Sequence, residues 1–146
     1  MIQNRKQLKT SSIVVLIFAA LTLIKIIADV WYMDFSIVEI PEGLPDNTIM
    51  IVKIIFAAIS FVCLLPQVYI GCKGLKMAKA PDSSRAHIVW GTILLVFAVI
   101  GLFSPAFAII KQEEVSENVS TLFSVLLEVI VFYEYVKYAR LVQKGE

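Results

Sequence analysis

Lys25, Asp29, Lys53 and Glu128 are ionisable residues set in or beside otherwise apolar stretches, and any chemistry this sequence performs should start from them. A charged side chain at the centre of a membrane helix costs about 2.5 to 3.5 kcal/mol on insertion scales, so each needs a partner, water or a neutral state. Glu128 falls near the middle of its apolar stretch, where a carboxylate can hold a proton or a cation, with Lys25 and Lys53 as tuning charges or an anion site. A purely structural reading uses the same four groups as a clasp. Lys53 then pairs with Asp29, and Lys25 reaches Asp29 one helical turn on or extends toward Glu128, fixing helix order and register.

Other reactive side chains are sparse. Cys63 and Cys72 lack the Cys-x-x-Cys arrangement of a redox site. Nine steps along a helix separate them by about 13 Å, whereas a disulfide needs Cα atoms about 6 Å apart, so both are expected as free thiols. His87, the only histidine, stands beside Arg85 and is expected in solvent or among headgroups, since no cysteine or acidic cluster nearby completes a metal site. No metal, nucleotide or cofactor signature is present, and the expectation is a protein with no cofactor and no catalytic centre.

The elements that must position these groups are membrane spans. Hydrophobic residues make up 59% of the 146 positions and the mean hydropathy is +0.83, above the roughly 45–50% apolar share of soluble domains. Apolar stretches at about 13–31, 49–70, 88–110 and 119–138 each approach the about 20 residues needed to cross the hydrocarbon core. The fourth is the least hydrophobic, with Ser120, Thr121, Ser124 and Glu128 in its first half. Aromatic residues mark several ends, from Trp31 and Tyr32 through Tyr69 and Trp90 to Tyr133, Tyr135 and Tyr138. No small-x-small cleavage pattern follows the first stretch, which is therefore expected to remain as an anchor.

Charge sets the orientation. Arg5, Lys6 and Lys9 precede the first span, Lys73, Lys76, Lys79 and Arg85 occupy a basic loop at 72–86, and Lys137, Arg140 and Lys144 end the chain. Asp34, Glu39, Glu42 and Asp46 fill the loop at 33–47, while Glu113, Glu114 and Glu117 accompany Lys111 in the third connection. Basic flanks stay cytoplasmic. The pattern predicts an all-α membrane protein of one domain, 1–146: four transmembrane helices in an antiparallel up-down bundle in the cell membrane, both termini cytoplasmic. Pro41, Gly43 and Pro45 suggest an irregular outer loop, apart from a short strand-like alternation over 35–39. On the inner side, 73–79 should extend the second helix up to Pro81, with Asp82 or Ser83 capping the third. Pro66 and Pro105 should bend their spans.

Small and polar residues recur at steps of three and four. Ala57, Ser60 and Gly71 lie on one stripe of the second span, Gly91, Ala98 and Gly101 on one of the third, and Ser124 with Glu128 on one of the fourth. Such stripes let helix backbones approach where lipid removes the usual hydrophobic drive, and their hydroxyls are expected to bond across helices. The chain resembles small multidrug transporters in its four short spans and membrane carboxylate. In that family the key acid belongs to the first span, whereas here it is Glu128 in the fourth, so no functional residue carries over.

These features favour a non-enzymatic interaction, accessory or immunity-type membrane subunit, binding another membrane protein or a second copy through its stripes. A small proton- or ion-coupled transporter or channel using Glu128, Lys25, Asp29 and Lys53 is the alternative, and a membrane enzyme comes third. The lipid bilayer is the one partner composition demands. A net charge of +1 gives no case for nucleic acid.

Overall fold

The computed structural model describes residues 2–32, 48–82, 84–111 and 115–145, with the side chains of these except 29–32, 48, 49, 56 and 117. Regular structure there is entirely helical: α1 (Ile2–Tyr32), α2 (Thr48–Lys79), α3 (Ala86–Gly101), α4 (Phe103–Ile110) and α5 (Val115–Lys144). With α3 and α4 taken as one unit, 4 stretches are long and apolar enough to cross a membrane: Ile2–Ala28, Met50–Lys79, Ala86–Ile110 and Asn118–Lys144. The chain is a multi-pass membrane protein. The loop expected at 33–47, the acids at 113 and 114, and the capping role offered to Ser83 lie outside the described residues.

Helices outrun the apolar stretches that announce them. Nothing before residue 13 breaks α1, and its Gln, Arg and Lys residues are good helix formers, so the basic flank is itself helical. The expected continuation of α2 through 73–79 is present, ending at Lys79 before Pro81. Pro66 does not interrupt that helix. The third span is divided instead at Leu102, whose N–H bonds to the Val99 carbonyl at 3.2 Å before α4 resumes. Pro105 falls in the first turn of α4, where its missing N–H has no intrahelical partner to lose.

The start of α3 differs from expectation. Arg85 occupies the N-cap position without a side-chain cap bond, and Asp82, three residues earlier, is engaged in a turn of its own. Its Oδ2 meets Lys73 Nζ at 2.5 Å and its Oδ1 accepts the Ser84 N–H at 2.8 Å, closing an Asx-type turn. The Lys73 bond, then the Ser84 N–H, hold this carboxyl below its ordinary value of 3.8. A depressed native pKa gives a contribution complete above the unfolded value and lost as pH falls through the lowered one. The turn should therefore hold from neutral pH to about pH 4 and open below it. Amide exchange at 80–85 measured against pH should show that acid step, and Asp82→Asn should remove it. Both partners are solvent-accessible, so the effect on global stability at neutral pH should be slight.

Packing order follows from which helices touch. α1 lies against α2 and α5, and α3 against α5 and α2, giving a ring in the order α1, α2, α3, α5. The core is uneven along it. Leu8, Val15, Ile70, Met77, Phe132, Tyr135, Val136, Ala139 and Val142 are buried together with Ile88 and Ala98. Among the described residues, none of α1 after Ala19, of α2 before Leu64 or of α5 before Phe132 is buried. Tight packing is thus concentrated where the basic segments lie.

Candidate functional site

Tyr135 is the hub of the packed half. It is fully buried, and its hydroxyl donates to the Ile70 carbonyl of α2 at 2.8 Å. Two glycines make room for the ring. A Cβ on Gly74 would meet the Tyr135 ring at 2.6 Å and also strike Ser12 Oγ, and one on Gly91 would lie 3.1 Å from both the ring and Val136. Gly71 serves the α1–α2 crossing in the same way, with Leu16 only 2.6 Å from where its Cβ would sit. These positions are small because backbone and aromatic ring occupy the space a side chain would need.

His87 belongs to this layer, not to solvent or headgroups as its neighbour Arg85 suggests. It is 0% exposed, edge-on to Tyr135 with ring centroids 6.4 Å apart and planes at 84°. The Ser84 backbone lies beside the ring, yet neither Nδ1 nor Nε2 meets hydrogen-bond geometry with any described group. A signal for its burial exists in the sequence. The stripe through Gly91, Ala98 and Gly101, extended one turn back from Gly91, arrives at His87. An unpartnered buried polar group costs roughly 1–3 kcal/mol. His87→Leu should therefore match or exceed the native protein in resistance to denaturant, by about 1 kcal/mol, while His87→Ala, which leaves a hole, should fall below it. A stability loss in His87→Leu as large as in His87→Ala would show that the imidazole is bonded.

The predicted charged cluster is only partly brought together among the described side chains. Glu128 is half-buried on α5 and Lys25 exposed on α1; they lie within electrostatic range without an ion pair. Lys53 is half-buried on α2. The Asp29 side chain, and with it the expected Lys53–Asp29 pairing, lies outside the described side chains. Lys73–Asp82 at 2.5 Å and Lys137–Glu134 at 3.5 Å are ion pairs outside this cluster.

The stripes divide similarly. Gly71, Gly91 and Ala98 are buried, Ala57 and Ser60 half-buried, and Gly101 and Ser124 exposed. Ser124, one of the stripe hydroxyls expected to bond across helices, bonds within its own helix instead, as three hydroxyls outside the stripes do. Ser11, Ser12, Thr92 and Ser124 each donate to the carbonyl four residues back, at 2.7, 2.6, 2.8 and 3.0 Å, because that lone pair is always in reach in an apolar medium. Tyr135 crosses from α5 to α2, and Arg140 Nη2 approaches Thr92 Oγ1 at 3.5 Å across α5 and α3. Both cysteines are free and exposed on α2.

No protein-family model, curated protein or solved structure matches this chain. Its class, a multi-pass helical membrane protein, rests on its own helices.

Proposed function

We propose that the chain is a non-enzymatic interaction subunit of the cell membrane, of accessory or immunity type, whose four spans pack antiparallel, up-down, with both termini and the 72–86 connection cytoplasmic. The distribution of basic and acidic residues among the connections supports that orientation. The observation that carries the function is Lys25, exposed on an apolar helix, together with half-buried Glu128 on another, with no ion pair between them. Lipid chains offer such groups nothing, whereas a polar side chain on a neighbouring helix relieves both. Exposed Gly101 and Ser124 in the loosely packed half would let that helix approach closely. Cross-linking in native membranes, followed by mild-detergent purification, should recover a defined partner or homo-oligomer. Cysteine placed at Gly101 or Ser124 should mark the contact. A strictly monomeric protein without a partner would contradict the proposal.

A second reading is favoured by Glu128 itself, a half-buried carboxylate on an apolar span, since such a group can exchange a proton. Glu128→Gln separates the two. Retained folding with lost proton or cation flux in liposomes supports a carrier. Retained folding with lost partner capture and no flux in either protein supports the interaction subunit.

A further inference from the structure

Two clefts open between α3 and α5 and share Arg140 and Lys144. One, of about 450 Å³, is completed by Arg85, Ile88, Val89 and Gln143. The other, of about 350 Å³, runs deeper along the helices to Leu95, Val136 and Tyr133. Their chemistry is graded. Arg85 and Lys144 lie at the ends of their helices, Arg140 sits a turn inward beside Thr92, and the next turns present Leu95, Val136 and Tyr133, with Lys137 also lining the cleft but paired to Glu134. No acidic residue lines either cleft. Arg85, Arg140 and Lys144 are exposed and form no ion pair among the described residues, unlike Lys73 and Lys137. α3 also begins here with no side-chain cap and no acid in its first turn, which adds the partial positive charge of a helix N-terminus.

We propose that this double cleft binds a phospholipid with an anionic headgroup, the phosphate held by Arg85, Arg140 and Lys144 and an acyl chain lying inward over Val89, Leu95 and Val136. The charge complements such a headgroup, and a basic cleft between membrane helices is the arrangement that retains one. A free phosphate ion would satisfy the cations but leave the apolar floor and most of the volume unused. The site is independent of the partner surface near Lys25, which lies in the other half of the bundle.

The chain has 2 tryptophans, and Trp31→Phe leaves Trp90, exposed on α3 next to Val89, as a reporter. This protein is reconstituted into phosphatidylcholine vesicles containing brominated phosphatidylglycerol or, separately, brominated phosphatidylcholine, and quenching of Trp90 gives the relative association constant. The anionic lipid should be strongly preferred. Arg140→Gln with Lys144→Gln should reduce that preference about 25-fold, at about fivefold per basic residue near the phosphate. Arg140→Lys, which keeps the charge, should retain most of it. Excess inorganic phosphate should leave the quenching unchanged. Equal quenching by the two lipids overturns the proposal, as does undiminished preference in the double variant. Displacement by inorganic phosphate overturns it in favour of a free-anion site. If the double variant loses helicity by circular dichroism, Lys144→Gln alone should still show the fivefold drop, and its absence counts against the site.

Discussion

Tyr135→Ala should unfold at markedly lower denaturant than the native protein, with a loss of about 3 kcal/mol. Lipid is as apolar as the protein interior, so removing the ring forfeits little transfer energy relative to a chain unfolded within the membrane. Lost packing remains. A hole of roughly 100 Å³ at about 24 cal/mol per Å³ gives about 2.4 kcal/mol, and rigid helix backbones at Gly74 and Gly91 limit collapse into it. The hydroxyl bond to Ile70 adds about 0.6 kcal/mol, the average for interhelical bonds in membranes. Tyr135→Phe isolates that smaller part and should lose no more than about 1 kcal/mol. Reversible unfolding in detergent–lipid mixtures, followed by helicity, measures both. A Tyr135→Ala loss as small as that of Tyr135→Phe would remove Tyr135 from the centre of the packing.

The spans were legible because bilayer thickness imposes a length on apolar runs, and their helicity because lipid satisfies no backbone group. Helix ends were less so. α1 and α5 continue well into polar sequence, where propensity decides rather than hydropathy, and the division at Leu102 has no signal except Pro105 three residues later. In the small-residue stripes, periodicity gives a face but not what stands opposite it. Gly71 and Gly91 meet Leu16 and Tyr135, whereas Gly101 has only Val125 at ordinary contact distance, 3.6 Å from a Cβ. His87 shows the converse error. Its charged neighbour Arg85 pointed to water, but helical phase, which places it one turn before Gly91, outweighed composition. The α3–α5 clefts were unreadable in principle, since Arg85 and Arg140 are far apart in sequence and only the fold makes them neighbours.

Gly74→Leu should be the most damaging single addition to the packed half, and its damage should depend on Tyr135. The new side chain begins with a Cβ 2.6 Å from the ring and in conflict with Ser12 Oγ. Ser12 cannot withdraw far, because its hydroxyl is tied to the Leu8 carbonyl at 2.6 Å and its side chain is fully buried. Overpacking of this kind costs about 1–3 kcal/mol even where neighbours yield, and leucine's better helix propensity recovers only about 1 kcal/mol. In Gly74→Leu/Tyr135→Ala the leucine can enter the space the ring vacates. The double variant should then be more stable than the sum of the two single losses by about 0.5–3 kcal/mol, the range seen for residues sharing one cavity. Strict additivity would mean that the leucine escapes along another face of α2 and that the α2–α5 contact does not constrain it. A positive coupling, together with an unchanged response to Gly101→Leu, would locate the rigid part of the bundle at the Ser12–Gly74–Tyr135 level and leave the half around Lys25 and Glu128 free to be completed by another helix.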